Sequence, residues 1–223
     1  MIQVNTKIIG ICITIILVVS IYICLSSPFY SVREYPRLQP ILDNYTVIHN
    51  EAPPLDPDAI PETDIRYGGE WTNPKNKKLL LSLEKDVRWV RGWTPGWYNF
   101  PLIYLGKSNE SARERMPRTM KLLEAIPSIR VAGLAVLMPR TTLGWHTDVT
   151  GKSSQSMAVN IGLYSPDSTL YIQAENGITY SSAQRDGEAI VFDSNLNHKV
   201  ENHSNKPRMI LYIDISQGEY PPF

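Results

Sequence analysis

A chain of 223 residues has room for one ordinary domain and a tail. Its 22 basic side chains balance 22 acidic ones, which argues against a nucleic-acid binder with a concentrated basic face. Hydrophobic residues make up 43%, enough for a packed core, so a wholly disordered chain is excluded. Both cysteines, Cys12 and Cys24, fall near the amino terminus. The remainder therefore has no disulfide framework, no cysteine-ligated metal site and no cysteine nucleophile.

From Ile8 to Val32 there are 25 residues without a charge, bounded by Lys7 and Arg33. The run IIGICITIILVVSIYICL is long enough for a helix to cross a hydrocarbon layer of about 30 Å. A cleaved signal peptide is the competing reading, but the apolar run is long and SSPF lacks a small-x-small site. Residues 1–27 are thus expected to be an uncleaved transmembrane anchor. Lys7 on one side against Arg33 and Arg37 on the other leaves the charge rule without a decision on orientation. The sequons at Asn44, Asn109 and Asn202 suit a lumenal or extracellular domain, although composition alone yields a few by chance. Residues 28–65 read as a linker: seven of the 17 prolines lie between Pro28 and Pro61, and such a run stays extended and semi-rigid.

Residues 66–223 carry the globular pattern. Asn73-Pro74 opens a capped helix with Leu79, Leu80, Leu83 and Val87 on one face, and a second short helix spans Arg118 to Ala125. Beyond Pro127 the runs RVAGLAVL, MAVNIGLY, TLYIQA, EAIVF and RMILYIDI read as strands, separated by turns such as SPDS, ENG, RDG and HSNKP. Helices first and short strands afterwards give an α+β class, mainly β, with an antiparallel sandwich or barrel.

One constellation carries chemistry. His146-Thr147-Asp148 places two metal-binding side chains at i and i+2, on one face if the segment is a strand, and His198 follows 52 residues later. Two imidazoles and one carboxylate make the facial triad that holds Fe(II) with coordination positions left open. Arg208, ten residues past His198 on a strand, has the planar fork that grips a carboxylate bidentately. Singly, each has an ordinary reading, as a loop histidine or a surface arginine. Zinc is a rival occupant, though a structural zinc site closes with four ligands. His203 would be the fourth, but it sits in the polar turn ENHSNKP and reads as solvated; His49 is assigned no role.

The stretches LMPRTTLGWHTD, NIGL and GEAIVFDSNLNHKVENHSNKPRMILYIDI, with PGWYNFPL before them, resemble the aspartyl/asparaginyl β-hydroxylase domain of the Fe(II)- and 2-oxoglutarate-dependent dioxygenases. The resemblance runs over about residues 70 to 216. It implies a double-stranded β-helix, or jelly roll, with iron held by His146 and His198 and the 2-oxoglutarate distal carboxylate held by Arg208. Two positions depart from the family. Its animal enzyme has glycine where Asp148 stands, so this chain is closer to the general triad. The family's Arg-x-His pair is replaced by Ala158 and Asn160, which leaves Asn160 as the candidate cosubstrate contact.

The expected protein is a membrane-anchored dioxygenase that uses Fe(II), 2-oxoglutarate and O₂, with ascorbate as reductant, and hydroxylates an Asp or Asn side chain of a polypeptide. The alternatives are a lipid acyl-chain hydroxylase of the same family, a catalytically inactive jelly-roll binding module and a β-rich interaction domain without metal. No nucleic-acid partner is expected.

Overall fold

The computed structural model describes residues 27–60, 82–83, 85–104, 106–126, 129–148, 156–175 and 177–216. The expected transmembrane segment and most of the expected helix after Pro74 lie outside the described residues; Ser82, Leu83 and Lys85 are helical. Among the described residues no helix is long and apolar enough to cross a membrane.

Chain order begins with β1 (Phe29–Tyr30), α1 (Gln39–Leu42) and α2 (Tyr45–Glu51). Then come β2 (Val90–Arg91), β3 (Trp97–Tyr104), β4 (Lys107–Ser108), α3 (Glu110–Arg115) and α4 (Pro117–Glu124). The β-rich part follows: β5 (Ile129–Leu137), β6 (Thr142–His146), β7 (Ser156–Tyr164), β8 (Ser168–Gln173), β9 (Thr179–Gln184), β10 (Ala189–Asp193), β11 (Asn197–Asn202) and β12 (Arg208–Ser216). The strands form an eight-stranded sheet ordered β1-β10-β7-β12-β5-β3-β2, with β4 on β3, and a four-stranded sheet ordered β6-β11-β8-β9. Every named strand pair is antiparallel.

Strand alternation turns this into three layers, because successive residues face opposite sides of a sheet. One face of the large sheet presents Leu137, Ala158, Ile190 and Phe192 to Leu143, Leu170, Ile172 and Val200 of the small sheet. Its other face presents Phe100, Leu134, Val159, Leu211 and Ile213 to Leu38, Ile41, Ile48, Met116, Met120 and Leu123 of the helical layer. The result is the mainly β, antiparallel two-sheet architecture of a jelly roll, with helices covering one side only.

The proline-rich stretch, expected to be extended, is folded over its described part. Pro36 and Pro40 occupy the first turns of short helices, where a missing N–H costs nothing. Leu38, Ile41 and Ile48 are fully buried, and each large aliphatic side chain so placed contributes about 1.5–3 kcal/mol. The prolines keep their carbonyls: Trp89 Nε1 donates to Pro53 O and Pro54 O, and the Arg91 guanidinium donates to Pro57 O. Glu51 at the end of α2 accepts from the Arg118 and Thr119 amides and so caps α4. Burial therefore overrides the stiffness that composition suggested.

Two sequons are structural. The Asn109 side-chain amide is buried and donates to Leu83 O at 2.6 Å. That of Asn202, 2% exposed, donates to the carbonyls of Leu137, Met138 and Lys206. Both side-chain amides are therefore engaged inside the fold.

Candidate active site

The pairing of β6 with β11 builds the histidine pair. His146 and His198 are direct cross-strand partners, which puts their rings 4.2 Å apart. A bulge makes this possible. Leu143 faces the interior, so strict alternation would turn Trp145 inward and His146 outward. The register instead moves three residues on β6 against two on β11. The extra residue reverses the parity, and Trp145 is left 46% exposed while His146 turns in.

Asp148 arrives by a different route from the one expected. β6 ends at His146, so Asp148 is not on the strand and the i, i+2 same-face argument does not place it. Its backbone N–H donates to Ser194 O, in the turn between β10 and β11, and its carboxylate accepts from Tyr212 Oη at 2.9 Å. Asp148 Oδ1 thereby lies 3.5 Å from His146 Nε2, and Oδ2 lies 3.5 Å from His198 Nε2. One ligand atom from each of the three residues falls within 4.8 Å of the others.

Hydrogen bonds fix both rings. His146 Nδ1 lies 2.7 Å from Gly144 O, and His198 Nδ1 lies 2.9 Å from Leu196 O. A carbonyl only accepts, so each Nδ1 is the donor and each Nε2 keeps its lone pair for a metal. Phe192 packs its ring edge to face with His198 at 5.1 Å, and Trp93 does the same with His146 at 5.3 Å.

The electrostatics follow. Burial lowers the pKa of His146, and the neighbouring His198 lowers it further. Burial also acts to lower that of His198, but its bond to Asp148 outweighs this and raises it. For Asp148, burial acts upward, yet His198, His146 and the Tyr212 hydroxyl hold the carboxyl below its ordinary range. Tyr212 is pushed well above 10 by burial and by Asp148, so its hydroxyl stays a donor.

Arg208 opens β12 opposite Leu137, a residue of the inter-sheet core, and is 4% exposed. Its Nε and Nη2 have no hydrogen-bond partner among the described residues, and burial pushes its pKa down to about 10. Asn160 is buried on β7 between Tyr212 of β12 and Ile190 of β10, and its Oδ1 also lacks a partner. Unsatisfied donors and a cation between the two sheets mark a place for an anion. His203 is not part of this cluster; it approaches Glu201 at 3.6 Å. His49 lies on α2, its ring 6.5 Å from Tyr164.

Two imidazole nitrogens and one carboxylate are the donor set of a non-haem Fe(II) centre, and the unpaired guanidinium suits a carboxylate cosubstrate. The aspartyl/asparaginyl beta-hydroxylase family model matches residues 43–217. The chain belongs to that family, and it is a hydroxylase by class. An uncharacterized protein of Acanthamoeba polyphaga mimivirus is 27% identical over 198 residues, 84% of this chain and 69% of that protein. The ornithine lipid ester-linked acyl 2-hydroxylase of Rhizobium tropici is 26% identical over 120 residues, 53% of this chain and 41% of that protein. Among solved structures, a 2OG-Fe(II) oxygenase-family oxidoreductase from Burkholderia pseudomallei aligns with a TM-score of 0.45 at 14% identity, covering 67% of this chain and 81% of that one.

Sequence reasoning missed two residues of the site, Tyr212 and Trp93, whereas Phe192 stands in the motif block that carries the resemblance. Only Tyr212 left a trace, as the one hydroxyl-bearing side chain within the otherwise aliphatic run MILYI.

Proposed function

We propose that this hydroxylase uses Fe(II) and 2-oxoglutarate, with His146, Asp148 and His198 as metal ligands and Arg208 as the partner of the 2-oxoglutarate distal carboxylate. The carrying observation is the convergence of the three candidate ligand atoms within 4.8 Å, together with a buried guanidinium of which two nitrogens have no partner among the described residues. When bound, iron with 2-oxoglutarate and O₂ supplies the oxidising chemistry that puts a hydroxyl on a C–H bond. The chain's own residues supply placement. The Nδ1–H bonds to Gly144 O and Leu196 O aim both Nε2 atoms at one point, and Phe192 and the inter-sheet core keep water from His198. Arg208 neutralises the buried cosubstrate charge, and Asn160 offers a further polar contact.

The leading substrate is an Asp or Asn side chain of a polypeptide, in keeping with the family. A lipid acyl chain is the second reading. It draws on the Rhizobium relative and on the exposed Trp93, which stands edge-on to His146 and packs on Trp97 at 4.2 Å. The apolar run of residues 8–25 is proposed to anchor the chain, with the domain in the lumen or outside; retention in the pellet after carbonate extraction supports this, and release with a shortened amino terminus refutes it.

The deciding experiment incubates the full chain with Fe(II), ascorbate and 2-oxoglutarate, then applies mass spectrometry to Asp/Asn peptides and to ornithine lipids. Succinate formation together with a gain of one oxygen in a substrate supports the proposal and selects between the two classes. Absence of metal binding and of succinate refutes it. The whole chain is required because Leu38, Ile41 and Ile48 are core residues.

A further inference from the structure

The three candidate ligands are not held alike. His146 and His198 sit on paired strands, and each has its ring fixed through Nδ1. Asp148 lies past the end of β6, so no strand pairing orients it. Among the described residues its backbone N–H is tied to Ser194 O, which fixes the main chain but not the side-chain torsions. A carboxylate with two free torsions would sample several rotamers, and choosing one costs free energy at the moment of binding.

The Tyr212 hydroxyl restricts that freedom, whereas the two histidine Nε2 atoms, 3.5 Å from the carboxylate, would turn to a bound metal. It donates to Asp148 Oδ2 from 64 residues away in sequence. Tyr212 itself is locked at the centre of the large sheet, between Gly133 of β5 and Asn160 of β7. Its side chain packs against the inter-sheet core. The one candidate ligand without a strand is thus held by the central strand of the large sheet.

We propose that Tyr212 is the positioning residue of the metal site, holding the Asp148 carboxylate toward the two histidine Nε2 atoms. This rests on the metal-site reading above and extends it to a residue outside the ligand set. It also ties the metal to the anion site. Tyr212 and Arg208 are four positions apart on β12, on the same face, about 13 Å along the strand at roughly 3.3 Å per residue. One strand therefore sets the spacing between the metal and the cosubstrate carboxylate, and Asp148 is brought into register with it.

The test uses Co²⁺ as the probe, titrated into the full chain and followed by its visible absorption. Four proteins are compared: wild type, Tyr212→Phe, Asp148→Ala and the double variant, with far-UV circular dichroism verifying the fold. Phenylalanine keeps the ring and its packing and removes only the hydroxyl. Loss of a group that orients a ligand weakens metal binding by about 10- to 100-fold. Tyr212→Phe is expected to lower Co²⁺ affinity at least tenfold and to alter the absorption spectrum. In the Asp148→Ala background the same change is expected to shift affinity less than twofold, because the carboxylate it acts through is gone. Equal affinities of wild type and Tyr212→Phe overturn the proposal. So does an equal loss in both backgrounds, which would make Tyr212 a packing residue only. A wild type that binds no Co²⁺ overturns the metal-site reading itself, and this proposal with it.

Discussion

Replacing Arg208 with Met separates stability from function in opposite directions. The guanidinium is 4% exposed and two of its nitrogens have no hydrogen-bond partner among the described residues, so these residues leave a buried charge without a counter-ion in the cosubstrate-free fold. Burial lowers its pKa from the ordinary guanidinium range to about 10, which at 1.36 kcal/mol per pK unit corresponds to about 3 kcal/mol of desolvation. Methionine fills a similar volume without the charge, and such replacements of buried ions are often neutral or stabilising by 1–4 kcal/mol. Allowing for imperfect packing, Arg208→Met is expected to raise the unfolding free energy of the cosubstrate-free protein by about 1–3 kcal/mol. The same change removes the charge partner of a buried carboxylate, a loss of about 2–5 kcal/mol, so 2-oxoglutarate affinity should fall about 30- to 5,000-fold. Urea denaturation measures the first quantity and calorimetry of 2-oxoglutarate binding to the Co²⁺-loaded protein measures the second. Co²⁺ affinity itself should hold, since Arg208 is not in the ligand cluster. A destabilised variant with unchanged 2-oxoglutarate affinity would refute the reasoning and make Arg208 a structural ion partner.

Asp148→Gly removes one of the three candidate ligands, and Co²⁺ affinity should fall at least tenfold, about 1.4 kcal/mol; equal affinities would leave a two-histidine site. Metal binding should weaken on acidification. A ligand imidazole must be neutral, and His198 holds its proton to higher pH than usual because Asp148 outweighs burial, so affinity should fall about tenfold per pH unit below that raised pKa. A flat Co²⁺ titration between about pH 8 and 5 would contradict this. Gly162→Ala should cost about 2–3 kcal/mol or more in urea denaturation, because a methyl there overlaps the Arg185 carbonyl where β7 meets the turn before β10. An unchanged denaturation midpoint would show that the turn yields.

Five strand cores, RVAGLAVL, MAVNIGLY, TLYIQA, EAIVF and RMILYIDI, were legible because their apolar runs are what buried strands must be made of. The helix at Pro117–Glu124 was legible for a similar reason: its proline opens it, and a buried stripe runs along one face. β3 was hidden by Pro101, which a strand accommodates only at an irregularity, and the β3–β5 register does shift between Pro101 and Ile103. β9 and β11 were hidden by polar outward faces, TYSSAQ and NHKVEN, as suits a sheet with one face toward solvent.

Residue types and their spacing by themselves singled out the candidate ligands His146, Asp148 and His198 and the candidate anion partner Arg208, since coordination chemistry restricts which side chains can serve and in what number; the family was legible in the longer motif stretches. What only the tertiary structure decided is how they meet. The parity of His146 depends on a bulge, which is a property of two paired strands and not of either sequence alone. The orientation of Asp148 depends on Tyr212, 64 residues away, and the reading of Arg208 depends on two buried nitrogens that find no partner among the described residues. Local pattern encodes periodicity and burial; contacts across distant strands are fixed only when the two sheets close on each other.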